Sequence, residues 1–173
     1  YDLSLTSVAM KADAAELLTP EINLGDFVLN AGEVKSTINI LIRNKGANEL
    51  KVTSAVSDNN EFVPMATADG AATLSNVVVP VEFSATTAGE KTANITVVTT
   101  AGTFNVLLKA SVMNMPDFAS LVKEGAEYMT FDVNEQFPFI VENGKAWNKN
   151  AGKANNESSQ SSFTISFTIP EGK

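Results

Sequence analysis

In Ser120-Leu-Val-Lys123 a serine and a lysine stand three residues apart. On a helix that S-x-x-K spacing puts an amine one turn from a hydroxyl and can activate it for acyl transfer. The K-T-G element such enzymes also carry is absent, and the same spacing suits the solvated face of a short helix, so no acyl-transfer site is assigned. Gly32-Glu-Val-Lys-Ser-Thr37 ends like a phosphate loop but lacks the G-x-x-x-x-G-K-[ST] frame, which leaves no cradle for a nucleotide. Asp58-Asn-Asn-Glu61 offers several oxygens in one turn, the donor type Ca²⁺ takes, without EF-hand spacing. A pair of carboxylates about 5 to 9 Å apart could hydrolyse a glycoside, yet Asp58, Glu61, Asp69 and Glu90 all fall in turns, where solvation accounts for them. Trp147 and Tyr128 carry flat rings that could stack on a sugar, or anchor a core. Asn94-Ile-Thr96 and Asn156-Glu-Ser158 fit the N-x-[ST] acceptor pattern, which an Asn- and Thr-rich chain also produces by chance.

The 173 residues include no cysteine and no histidine, which removes thiol nucleophiles, disulfides, histidine triads and the usual zinc sites together. Lys and Arg number 12 against 20 Asp and Glu, a net charge of −8. Nucleic acid needs the opposite balance, so no nucleic-acid partner is expected. No cofactor and no metal are implied, and the expectation is a protein that is not an enzyme. The contact residues worth placing are Trp147, Tyr128, Asp58 and Glu61. No apolar run approaches the ~18 residues of a membrane-spanning helix, so no membrane insertion is expected of these residues. The chain opens at Tyr1 without a signal-peptide pattern and reads as processed or trimmed.

Short alternating β-branched stretches, punctuated by Gly, Asn and Pro, run from Glu21 to Ala110 and must position any such residues. Strands are expected around Ile22 to Leu29, Lys35 to Arg43, Leu50 to Val56, Val77 to Phe83, Ala93 to Val97 and Phe104 to Ala110, with a seventh short one near Ala72 to Leu74. Ile38, Ile40 and Ile42 share one face, and Leu41 suggests that the other is partly covered. Asn44-Lys-Gly-Ala-Asn48 reads as a hairpin turn and Thr99-Thr-Ala-Gly102 as another. Pro80 donates no hydrogen bond and belongs at an edge or a bulge. Seven strands in roughly 90 residues is the count of an immunoglobulin-like β-sandwich.

The flanks read differently. Leu3, Leu5 and Val8 alternate like a strand, and Ala9 to Leu18 is helix-permissive until Thr19-Pro20. Residues 1–18 are therefore a tail or linker, or an extra edge strand; 19–112 form the sandwich, and 113–173 a β-rich partial second domain. In that last part Asp117 would cap a short helix from Phe118 to Glu124, stopped by Gly125. Tyr128 to Val133, Phe137 to Glu142 and Ser162 to Ile169 read as strands, with a long mobile loop from Asn143 to Ser161. Ending on the turn signal Pro170-Glu-Gly, this segment is expected to be incomplete, or to pack on the sandwich and bury Phe139, Trp147, Phe163 and Phe167.

Residues 19–112 resemble the bacterial abnormal-spindle-like, or "choice-of-anchor D", family of immunoglobulin-like domains. The resemblance lies in Ile22-Asn-Leu-Gly-Asp-Phe27, Ile40-Leu-Ile-Arg-Asn-Lys-Gly-Ala-Asn-Glu-Leu50, Phe62, Val79-Pro-Val-Glu-Phe83 and Ala88-Gly-Glu-Lys-Thr-Ala-Asn-Ile95. Ser84-Ala85 stands where the family often has proline. From Met115-Pro-Asp-Phe118 through Phe137-Pro-Phe and Asn143-Gly-Lys-Ala-Trp147 to Phe167-Thr-Ile-Pro-Glu-Gly172, the tail resembles the start of a "choice-of-anchor J", or cleaved-adhesin, jelly-roll. These resemblances imply secreted or cell-surface proteins of Bacteroidetes, with the periplasm as the alternative compartment, and carry over no catalytic residue.

The expected function is thus a non-enzymatic interaction or spacer module, adhesin-like, whose partners are a protein or glycan at the cell surface and adjoining domains of the same chain. A carbohydrate-binding accessory module of a glycan-degrading enzyme is the alternative. A periplasmic chaperone-like sandwich would need a paired basic anchor that the chain does not display. Turns 44–49 and 57–61 and the loop 143–161 are where contacts are expected, because loops on rigid scaffolds carry binding.

Overall fold

The computed structural model describes residues 9–30, 32–65, 70–148, 160–169 and 171. The described residues are all-β apart from two 3-10 turns. Two four-stranded sheets face each other as an immunoglobulin-like sandwich. One holds β1 (Ala15–Leu17), β3 (Val34–Asn44), β6 (Asn76–Ala85) and β5 (Phe62–Pro64), in the order β1-β3-β6-β5. The other is ordered β2-β8-β7-β4, from β2 (Glu21–Leu29), β8 (Gly102–Asn114), β7 (Gly89–Thr99) and β4 (Val52–Ser57). All pairs are antiparallel except β2 with β8.

Period-2 alternation produces the core. On β6, Val77, Val79, Val81, Phe83 and Ala85 are buried, and on β7 and β8 Ala93, Ile95, Val97, Val106, Leu108, Ala110 and Val112 meet them from the opposite sheet. Phe83 lies between Phe27 and Phe62, with ring centroids 5.2 Å and 4.6 Å away. Burying each such ring contributes about 2 to 3 kcal/mol. Ile40 and Ile42 are buried and Leu41 half-buried, as the mixed faces of β3 imply.

Several expectations are corrected. The sandwich has eight strands: Ala15–Leu17 is the extra edge strand, not helix, and Phe62–Pro64 is a strand. Instead of a strand at Ala72 to Leu74 there is a single bridge, Leu50 to Ala71. Asn44 to Asn48 closes no hairpin, because β3 and β4 belong to different sheets; it is a crossover. Thr99 to Gly102 does close the β7–β8 hairpin, with Thr99 Oγ1 accepting from Ala101 N–H. Pro80 sits on an inner strand, yet its carbonyl accepts from Met65 N–H just past the last β5 pair, Pro64 with Val81. An antiparallel residue turns its N–H and C=O to the same side, so the missing donor faces the point where β5 ends.

The C-terminal segment builds two ribbons. β9 (Met129–Val133) pairs with β12 (Phe163–Phe167), and β10 (Phe139–Glu142) with β11 (Lys145–Asn148). Its own core gathers Phe118, Val133 and β2's Val28, with Phe131, Phe139 and Phe163 packed against them. The Phe163 ring lies 4.6 Å from Phe118, 6.2 Å from Phe131 and 5.8 Å from Phe139. The helix expected after Asp117 is only a 3-10 turn, Phe118–Leu121, because Val122 is already extended. Lys145–Asn148, expected to belong to a loop from Asn143 to Ser161, is a strand; the rest of that expected loop up to residue 159, including Asn156, lies outside the described residues, as do Leu3, Leu5 and Val8.

Candidate functional site

The joint between sandwich and ribbons is built on one irregularity in β2. A bulge between Asn23 and Asp26 interrupts the pairing with β8, and Gly25 adopts φ +88°, a left-handed conformation glycine takes without penalty. The extra residue shifts the alternation: Ile22 and Leu24 face the sandwich core before the bulge and Phe27 and Leu29 after it, while Val28 turns into the second core.

Beyond the bulge the outer edge of β2 is occupied. Val28 N–H donates to Glu135 C=O at 2.7 Å and Phe137 N–H to Asp26 C=O at 2.7 Å, around an antiparallel bridge of Phe27 with Gln136. Gln136 Nε2 donates to Leu24 C=O at 2.7 Å. Phe137 itself has φ +55°, a conformation that costs a bulky residue about 1 to 3 kcal/mol. Its ring lies on Gly25 so closely that a Cβ there would overlap Cε1 of the ring. The glycine admits the aromatic, and the aromatic fixes the bridging segment 135–137. Asn30 Nδ2 donating to Asp132 Oδ1 and Ser161 Oγ donating to Phe137 C=O tie β9 and the approach to β12 to the same joint.

Of the four contact candidates, two are consumed internally. Asp58 Oδ1 accepts from Asn94 N–H and Oδ2 from Asn94 Nδ2, both at 2.8 Å. The Asn94 side-chain amide, then its backbone amide, hold the Asp58 carboxyl below its ordinary value. Glu61 Oε1 accepts from Lys91 Nζ at 2.6 Å, and the same ammonium reaches Thr87 Oγ1 at 2.9 Å. Among the described residues no three carboxylates converge as a metal would require. The other two are surface rings on separate elements. Trp147, on the outer face of β11 opposite Ile140, is 42% exposed; Tyr128, ending the 3-10 turn before β9, is 41% exposed.

The ribbon of β9 and β12 supplies a surface that reasoning from loops missed. Phe163, Ile165 and Phe167 pair with Val133, Phe131 and Met129, so their side chains share one face. That face is buried at the Val133 end and emerges towards Phe167, 63% exposed, and Ile169, 77% exposed. Phe163 and Phe139 are partly buried as expected, whereas Phe167 and Trp147 are not covered.

The remaining motif residues are engaged in local hydrogen bonds. Asp117 Oδ1 caps the 3-10 turn by accepting from Ser120 N–H at 3.2 Å, Ser120 Oγ donates to Asp117 C=O at 2.7 Å, and the extended Val122 removes the helical register with Lys123. Enzymes with the S-x-x-K pattern also carry an S-D-N triplet; in this chain Ser57-Asp58-Asn59 has that order, but Ser57 Oγ donates to Asn59 C=O and Asp58 is held by Asn94. Beside the bulge a shallow cleft of about 180 Å³ is lined by Asn23, Asp26, Glu90, Lys109 and Ser111. Its charges are met from within: Ser111 Oγ donates to Glu90 Oε1 and Lys109 pairs with Glu21.

No protein-family model and no curated protein matches the chain. Among solved structures, a protein of unknown function from Porphyromonas gingivalis W83 aligns at 16% identity and TM-score 0.47, over 61% of this chain and 49% of its own, about half its length. The ASH/PapD-like domain 7 of human CEP192 aligns at 10% identity and TM-score 0.45, over 66% of this chain and 95% of its own. An endo-fucoidan hydrolase of glycoside hydrolase family 107 aligns at 12% identity and TM-score 0.39, over 62% of this chain and 15% of its own.

Proposed function

We propose that the chain is a non-enzymatic interaction module of a secreted or cell-surface bacterial protein, in which the sandwich acts as a rigid carrier and the β9–β12 ribbon as the contact surface. The observation that carries this reading is the joint: Glu135 to Phe137 extend the sandwich sheet at β2, and Phe137 is seated on Gly25. A ribbon fixed in this way keeps its orientation, which a spacer or presenting module requires. The exposed run of Ile165, Phe167 and Ile169 gives such a module something to present, since contiguous apolar surface marks contact sites. The resemblance of 19–112 to choice-of-anchor D domains and of the tail to cleaved-adhesin jelly-rolls supports the cell-surface setting.

Adherence of chain-coated beads to bacterial and epithelial cell surfaces tests this reading. Beads carrying the parent chain should adhere, and the double variant Phe167→Ser with Ile169→Ser should lose most of that adherence while keeping its circular dichroism. Adherence no greater than that of albumin-coated beads contradicts the reading.

Exposed Trp147 favours a second reading, a carbohydrate-binding accessory module in which the indole stacks on a sugar ring. Glycan-array binding abolished by Trp147→Ala supports it; an array without signal removes it.

A further inference from the structure

We infer that β12 is a self-pairing edge: two copies of the chain join antiparallel through Phe163–Phe167, about a two-fold axis at Ile165, into one continuous four-stranded sheet. The interface uses the ribbon that the proposed function treats as its contact surface, but the pairing stands on the geometry of β12.

The sandwich protects its own edges. β1 and β5 are three residues each, β4 carries an irregularity between Val52 and Ser54, and the outer edge of β2 is covered by residues 135–137. Short strands, bulges and covering segments are how folded proteins prevent edge-to-edge association. β12 shows, among the described residues, no bulge and no covering segment. Among the described residues it pairs only with β9, and Gln160 to Ile169 contains no charge and no proline. In a chain of net charge −8, this uncharged strand is where a second copy can approach without like-charge repulsion.

The register follows from the backbone. Thr168 N–H donates to Tyr128 C=O, continuing the β9 pairing. Because the groups of an antiparallel strand alternate sides, Ser166 and Thr164 also address β9, and Phe163, Ile165 and Phe167 turn their N–H and C=O to the open edge. The sequence Phe-Thr-Ile-Ser-Phe has the same apolar-polar pattern in both directions about Ile165. Centred there, Ile165 exchanges both backbone bonds with Ile165 of the second copy, and Phe163 with Phe167 of the second copy. Thr164 then faces Ser166 of the second copy, a favourable hydroxyl pair. Phe167, exposed in one copy, lands beside the ring that the other copy packs on Phe118 and Phe139. An isologous two-fold interface closes after two copies, so the product is a dimer and not a fibre.

A single cysteine reads the register, because the chain has no other. Ile165→Cys places two sulfurs on the axis, where directly opposed hydrogen-bonded Cα atoms are about 5.5 Å apart, within disulfide reach. Under mild oxidant it should form a covalent dimer at least about tenfold faster than Thr164→Cys, which faces Ser166 instead of itself. Sedimentation of the parent chain from micromolar to sub-millimolar concentration should rise towards the mass of two chains, and Ile165→Lys, which sets like charges face to face, should raise the dimer Kd about tenfold or more. Unchanged circular dichroism of each variant excludes misfolding as the cause. A parent that stays monomeric, larger open-ended assemblies, or equal crosslinking at 164 and 165 overturns the inference. Bead adherence without dimerisation overturns it too, and leaves the interaction reading in place.

Discussion

Asn44 holds the crossover that replaces the expected hairpin. It is buried, its Nδ2 donates to Asn48 C=O at 2.8 Å and Ala71 C=O at 2.9 Å, and its Oδ1 accepts from Gly46 N–H at 2.8 Å. Asn44→Ala removes all three of these bonds, although Ala71 C=O keeps Leu50 N–H, and should cost about 2 to 3 kcal/mol in urea denaturation. The residue type was legible as a turn former, but its long-range bond to Ala71 was not, because nothing local in the sequence records a partner brought in by a distant segment. Asp58 acts through charge. Its carboxyl is held below its ordinary value by Asn94, so the stability it contributes is present above that value and is lost as pH falls through the depressed one. The parent should therefore be more stable than Asp58→Ala at neutral pH. The gap should hold down to about pH 5 and shrink below about pH 4, as followed by denaturation midpoints across pH.

At the scale of elements, the alternating strands of the sandwich were readable and the joints between them were not. Val77 to Phe83 and Phe104 to Ala110 show period 2 and are buried accordingly. The β10–β11 ribbon carries its own local signal: Asn143-Gly144, with φ +52° and +69°, is the two-residue turn that matches strand twist. Its Asn- and Ser-rich surroundings made it look like the start of a loop. Gly144→Ala forces a side chain into that conformation and should cost about 1 kcal/mol. Amide exchange should speed up about fivefold across Phe139–Glu142 and Lys145–Asn148, with the sandwich amides unchanged. Gly25 was likewise a readable signal, since glycine inside a strand marks a bulge or a close approach. What the sequence could not supply was its occupant: Phe137 lies far along the chain, beyond the reach of any periodic pattern.

For the whole molecule, the joint at β2 decides whether there are two bodies or one. Val28 belongs to the second core while Phe27 belongs to the first, so neither core is complete without β2. Gly25→Ala would displace the Phe137 ring and put a side chain at φ +88°, a cost of about 2 kcal/mol or more. The expected result is release of the ribbons ahead of the sandwich, seen as two thermal transitions where the parent shows one. The most direct test of a rigid carrier is backbone ¹⁵N relaxation of the intact chain. A single rotational correlation time for amides of β3, β6 and β8 and for those of β9 and β12 is the predicted result; a distinctly shorter time for β9 and β12 would contradict it.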